Sequence, residues 1–366
     1  MNTYDFIIIG AGSAGSVLAN RLSENGQYQV LLLEAGGKDN DMNMKIPAGF
    51  PKLFKTKHDW NYHTSPQEHL NDRELYLPRG KTLGGSSSIN AMIYIRGNRA
   101  DYDGWAAEGN AGWTYDEMLP YFKKSERQEI IKDEFHGQNG SLNVTNRNYT
   151  NHLSEVFVEA GKELGYAENP DFNGKTQAGF GMYQVTHTNG SRCSAAVAFL
   201  NPIKDRSNLT IETHAQVERI LIEGKQATGV RYSQKGKSIE VKANQEVILS
   251  AGAYNSPQVL MLSGIGAGEE LQQHGIPIVK NLSAVGKNLQ DHLVSFMLFK
   301  SNYKKTLDSA ENFPVILKHL GNYFINKKGP FSSNVGEAGA FVKSSADEIA
   351  PDIQYHFGPC FFSEHG

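Results

Sequence analysis

A largely apolar run, Tyr4 to Ile9, passes directly into Gly10-Ala-Gly12-Ser-Ala-Gly15. Such a run suits a parallel strand buried on both faces. Val17, Leu18, Arg21 and Leu22 then continue at helical spacing to a stop at Asn25-Gly26. Gln29 to Leu33 reads as the next strand and ends in Glu34, 19 positions past Gly15. That separation is close to the ~20 residues between the last glycine of a dinucleotide turn and the carboxylate that holds a ribose hydroxyl. Gly10 makes the turn, Gly12 lets a pyrophosphate approach the backbone, and Gly15 lets the helix pack on the strand. The helix start, with Ser13 and Ala14, offers N–H groups and a positive dipole end. An acid at position 34 argues against a 2′-phosphate and hence against NADP, leaving FAD and NAD.

A second glycine segment narrows the choice. Gly80-Lys-Thr-Leu-Gly-Gly-Ser-Ser-Ser-Ile-Asn90 packs small side chains and many backbone N–H groups into one loop. Such a loop can lie against an anion or a planar ring. It occupies the place where an NAD dehydrogenase would begin its second βαβ pair. It is preceded by Pro78-Arg79 and followed by Tyr94-Ile-Arg-Gly-Asn98. Further on come Gly252-Ala-Tyr-Asn-Ser-Pro-Gln-Val-Leu-Met-Leu-Ser-Gly-Ile-Gly266 and Val285-Gly-Lys-Asn-Leu-Gln-Asp-His292. In this order, the segments resemble the glucose–methanol–choline family of flavin oxidoreductases, with wording nearest its choline dehydrogenase-like branch.

The resemblance implies an α/β fold, α+β overall. A Rossmann-like FAD-binding domain with a β-meander would span residues 1–150 and 190–291. An incomplete substrate domain with an antiparallel sheet would take residues 151–189 and 292–366. It implies FAD contacts at Gly10, Gly12, Ser13, Ala14, Gly15, Glu34 and Ala35. Gly80, Leu83, Gly84 and Ser87 would add contacts from the second loop, and Asn90, Ala91, Met92 and Ile93 would lie beside the flavin. Val217 would offer its backbone to the adenine, and Ala251 would be a further FAD contact. Relatives that bind flavin covalently use a histidine where this chain has Ile89, so non-covalent FAD is expected. The implied reaction is oxidation of a primary alcohol to an aldehyde by hydride transfer to the flavin. Oxygen, a quinone or a dye-like carrier would serve as acceptor.

The implied catalytic base, a histidine, is expected beyond Gly366, so the chain reads as truncated and catalytically impaired alone. Glu337 matches a position where choline-oxidising relatives place a carboxylate, and His365 is a second substrate-facing candidate. Beside each stands a plain reading, a structural glutamate and a solvated histidine. A flavin-binding module without activity of its own, and an NAD-dependent dehydrogenase, are the alternatives.

The residues alone support several further expectations. Leu209–Thr213, Val217–Ile222, Thr228–Tyr232 and Ser238–Val241 read as a meander, with Glu246–Ser250 returning as a buried strand. A helix is expected to start at Ser256-Pro257, with proline in its first turn. Leu153, Val156, Phe157, Ala160 and Leu164 place an apolar stripe on a helix over 152–165. Gly339–Lys343 and Asp352–Phe357 read as strands. Among 366 residues, 36 basic and 39 acidic side chains leave a formal charge of −3, which gives no strong pull towards nucleic acid. Cys193 and Cys360 stand far apart, as suits a reducing, cytoplasmic setting. Peripheral membrane contact is left open. No Cys/His cluster has zinc-site spacing, so no metal is expected.

Overall fold

The computed structural model describes residues 2–362, so His365 lies outside the described residues. The chain divides into two compact units. One comprises Met1–Asn40, Leu53–Ile89 and Ser194–Phe296, and the other comprises Asp41–Lys52, Asn90–Cys193 and Met297–Gly366. These units are cut differently from the expected domains, since residues 90–150 pack with the second.

The first unit is α/β and Rossmann-like. Strand β1 (Thr3–Ile9) leads into helix α1 (Ser13–Leu22) and strand β2 (Val30–Leu33). Later come β3 (Leu209–Glu212), β4 (Gln216–Glu223), β5 (Gln226–Gln234), β6 (Lys237–Leu249) and helix α2 (Gly252–Leu262). Together the strands make one sheet in the order β3-β2-β1-β6-β5-β4. The first four run parallel, and β5 and β4 follow antiparallel. Alternation along the strands buries both faces. Ile7, Ile9, Leu31 and Leu33 enter one core with Val217, Val230 and Val241. Ile8, Val30 and Leu32 enter the other with Ala19, Leu83 and Leu200.

Three expectations need correcting here. Leu209–Glu212 is not part of the meander; it pairs parallel with β2 through Leu209–Val30 and Ile211–Leu32. Ser238–Val241 and Glu246–Ser250 are not separate strands but parts of the 13-residue β6. No glycine or proline interrupts 237–249, so the strand runs on. Its first part pairs antiparallel with β5 and its second parallel with β1. Finally, α2 starts at Gly252, which puts Pro257 in its interior. There the ring removes one backbone donor instead of filling a position that needs none.

The second unit holds a three-stranded antiparallel sheet with Ala338–Val342 at its centre, flanked by Gly179–Met182 and Ile353–Phe357. Helix His152–Glu163 packs on it, but not through the expected stripe. Val156 and Leu164 are exposed, while Ser154, Val158 and Gly161 are buried. Small residues let the helix approach closely: a Cβ on Gly161 would lie 2.4 Å from the Phe180 ring. Phe157 does join the core, stacked 4.8 Å from Phe357.

Candidate functional site

The parallel strands end at one edge of the sheet of the first unit, where ligands settle in open α/β folds. β1 stops at Ile9, and Gly10 turns the chain with φ +93°. α1 begins at Ser13 with no side-chain cap and no acid in its first turn. Its first N–H groups therefore keep the partial positive charge that suits an anion. A Cβ on Gly15 would stand 1.9 Å from the Gly10 carbonyl oxygen, so helix and turn touch only because that position is glycine. A Cβ on Gly12, by contrast, would meet nothing within 4 Å.

Glu34 follows β2 and is buried. Its Oε2 accepts from the Ala11 amide at 3.0 Å and its Oε1 from the Gly36 amide at 2.8 Å. Burial raises its pKa above the usual carboxylate range, opposed by those two hydrogen bonds and by the Lys81 charge. Each oxygen retains acceptor capacity beyond the single bond it makes. A hydroxyl-bearing ligand is the natural partner for such a group.

The second glycine loop lies against the first. Gly84 N–H donates to the Ala11 carbonyl at 2.8 Å, and a Cβ on Gly85 would stand 2.8 Å from Gly12 Cα. An aromatic group flanks the loops: Trp60 stacks on Tyr62 with centroids 5.6 Å apart, and Lys81 Nζ lies 4.3 Å from the Trp60 centroid. Tyr62 donates to Asn255 Oδ1 at 2.7 Å, and the Arg79 guanidinium lies 4.3 Å from the Tyr254 ring.

These elements enclose a cavity of about 490 Å³, within the ~300–1,000 Å³ of ligand pockets. Of the expected contacts, Gly10, Gly12, Ser13, Ala14, Glu34, Ala35, Gly80, Val217 and Ala251 line it. Gly15, Leu83 and Gly84 are buried behind it, and Ser87 accepts from the Ala195 amide at 2.9 Å. Arg79, Tyr254 and Asn255 also line the cavity but were not expected to. They lie inside the segments quoted for the family resemblance, and a cation beside a loop rich in backbone N–H groups was the available signal.

The remaining candidates belong to the second unit. Asn90 Oδ1 accepts from the Met92 amide at 3.0 Å and from Arg192 Nη1 at 2.8 Å. Met92 is fully buried at φ +58°, Ala91 O accepts from Asn334, and Ile93 bridges to Val185. Arg192 also donates through Nε to Met44 O at 2.8 Å, and burial pulls its pKa down to about 9. Glu337 has no exposure. Its Oε2 accepts from the Asn151 amide and from Ser154 Oγ, both at 2.7 Å, and its Oε1 from Ser333 Oγ at 2.5 Å. Both carboxylate oxygens are thus held by neighbouring groups of the second unit.

Comparison with known proteins then decides the family. The profile for GMC oxidoreductase matches residues 4–294. The chain belongs to the GMC oxidoreductase family. An alcohol dehydrogenase [acceptor] from Pseudomonas putida is 48% identical over 99% of this GMC chain and 67% of its own length. Mitochondrial choline dehydrogenase from Mus musculus is 43% identical over 99% of the chain and 62% of its own length. Among solved structures, a pyridoxine 4-oxidase superposes with TM-score 0.82 at 31% identity, covering 96% of this chain and 65% of that one. A formate oxidase from Aspergillus oryzae superposes with TM-score 0.88 at 26% identity, covering 98% and 69%. The chain thus spans about two thirds of the length of the relatives it matches. No helix among the described residues is long and apolar enough to cross a membrane.

Proposed function

We propose that the first unit holds FAD without a covalent link and that the chain serves FAD-dependent oxidation of an alcohol. The supporting observation is the cavity built where Gly12 and Gly85 meet, with Glu34 at its edge. The turn at Gly10–Gly12 and the start of α1 would take the pyrophosphate, and Glu34 the ribose hydroxyls. Val217, a cavity-lining residue of β4, would face the adenine. Ile89 is apolar and buried and has no nucleophile to tether a flavin. When bound, FAD supplies the acceptor for the hydride that leaves the alcohol carbon. The base that takes the hydroxyl proton would be a histidine, and among the described residues none lines the cavity.

The sheet does not favour an NAD dehydrogenase. After four parallel strands it continues into the antiparallel pair β5 and β4, where a second nucleotide-binding half would need parallel strands. The lack of a histidine among the described residues that line the cavity favours a second reading, a flavin-binding module without turnover of its own. Dye-coupled oxidation of choline, an aliphatic alcohol and an aromatic alcohol by the FAD-loaded chain tests both. Bound FAD with no dye reduction above background fits the second reading. Turnover at ordinary enzyme rates rules that out, and failure to take up FAD overturns the whole reading.

A further inference from the structure

The second unit buries a group of charges independent of the cavity. His136 is 2% exposed. Its Nδ1 lies 2.9 Å from Glu126 Oε1 and its Nε2 lies 2.9 Å from Asp171 Oδ2. Glu126, with no exposure, also accepts through Oε2 from Arg96 Nη2 at 2.7 Å and from the Gly137 amide at 2.9 Å. Arg96 Nη1 donates to Phe135 O at 2.8 Å, and the Arg96 amide donates to Asn173 Oδ1 at 2.8 Å. Asp171 Oδ1 accepts from the Asn173 amide at 3.0 Å. Asp133, at the exposed end, accepts from the Phe135 and His136 amides at 2.9 and 3.2 Å. His136 thus joins residues 133–137 and 169–173 to the Arg96–Glu126 pair.

A neutral imidazole carries one N–H, yet both ring nitrogens here face carboxylate oxygens. Only the imidazolium donates to both. It also completes a charge balance, with Arg96 and His136 opposite Glu126 and Asp171. Loss of the proton would turn a lone pair towards an oxygen and leave a buried carboxylate charge uncompensated. We propose that the His136 imidazolium is a proton-held clasp, and that it opens in alkaline solution to release residues 133–137 and 169–173 from the Arg96–Glu126 pair.

The other titratable groups close by include Lys123, whose Nζ donates to Glu134 O at 2.9 Å, and three tyrosines. Tyr94 lies 3.4 Å from Arg96 Nε and is pushed up to about 12 by burial; Tyr102, also raised by burial, and Tyr115 act on Arg96 through charge. Burial draws the His136 pKa down, but Asp171 and Glu126 outweigh it and raise it from 6.5 to about 9. The raised value means that the clasp contributes fully below pH 6.5 and is lost as pH rises through about 9. Ligand atoms of Asp133, His136 and Asp171 also lie within 4.8 Å of one another. A divalent cation there would require His136 Nε2 without its proton, so metal and clasp exclude each other.

Nitrogen-15 NMR of the histidine-labelled full chain reads the ring directly, with His136→Gln assigning the signal. The expected result is both ring nitrogens protonated at pH 7, a titration near pH 9, and faster exchange of the Gly137 amide above it. In thermal melts the advantage of the native chain over His136→Gln should shrink between pH 6.5 and 9.5. The unfolding-constant ratio should change on the order of a hundredfold, since each pKa unit is tenfold. A neutral tautomer at pH 7, or melting curves that run parallel across pH, overturns the proposal. So does a zinc-induced, EDTA-reversed rise in melting midpoint that His136→Gln abolishes. If the variant does not fold, the native ring signal decides alone.

Discussion

Gly85 rests against Gly12: a Cβ built on the first would lie 2.8 Å from the Cα of the second. The two glycine loops, 73 positions apart by the difference of those numbers, form one surface. The Gly84–Ala11 hydrogen bond fixes their register. A ligand reaching the open face of Gly12 also meets Gly85, since both line the cavity.

Substituting Gly85 should therefore separate the loops. Its φ is +55°, so alanine there is strained as well as crowded. Gly85→Ala is expected to cost about 1–3 kcal/mol of stability and to lower the FAD retained on purification. Thermal melting beside the 450 nm to 280 nm absorbance ratio checks both.

Glu34 should tolerate little change. In Glu34→Gln one of the two accepting oxygens becomes an NH₂ group facing the Ala11 or Gly36 amide. Such a buried mismatch costs about 1–3 kcal/mol. Fluorescence titration with FAD should show weaker binding than in the native chain, with the loss concentrated in the adenosine half. ADP competition is the readout.

Glu337 should matter for stability rather than for substrate charge. Its carboxylate accepts from Asn151, Ser154 and Ser333, and its charge favours the protonated form of buried Arg147. Removing it leaves those buried donors without their acceptor, a loss of about 1–3 kcal/mol for each such group. Glu337→Ala should lower the melting midpoint sharply without any ligand present. An unchanged midpoint would return Glu337 to the list of substrate-facing candidates.

His187 should make the second unit sensitive to acid. It is buried, and neither ring nitrogen has a hydrogen-bond partner among the described residues. Burial, together with the Arg192 and Arg147 charges, lowers its pKa from 6.5 to about 3. Below pH 6.5 the unfolded chain gains a proton that the folded chain refuses, so stability falls as pH falls towards 3. By pH 5 the loss is about 2 kcal/mol. His187→Met should be near neutral at pH 7 and should flatten the acid limb of a melting-midpoint profile.

How much of this was legible depends on whether the determining interactions were local. The β1 turn, α1, β2 and Glu34 follow from spacing within 34 residues, and the structure reproduces them. The partner of Leu209–Glu212 is β2, almost 180 residues earlier, so its placement in the parallel sheet could not be read from its own composition. Ser238–Val241 and Glu246–Ser250 read as two runs, but backbone pairing on both sides carries β6 through the residues between them. At the helix of residues 152–163, apolar pattern pointed to Val156 and Leu164, whereas the small Ser154 and Gly161 set the contact face. In the cavity the glycines were legible. The Arg79–Tyr254 contact spans 175 positions and was not.

The most direct measurement is the visible spectrum of the chain purified without added flavin, followed by acid precipitation and chromatography of the supernatant. Absorption bands near those of oxidised flavin, with one released species that co-elutes with FAD and a colourless pellet, are the predicted result. A colourless protein that binds NAD but not FAD, or a yellow pellet that keeps its flavin, would contradict non-covalent FAD in the cavity between the two glycine loops.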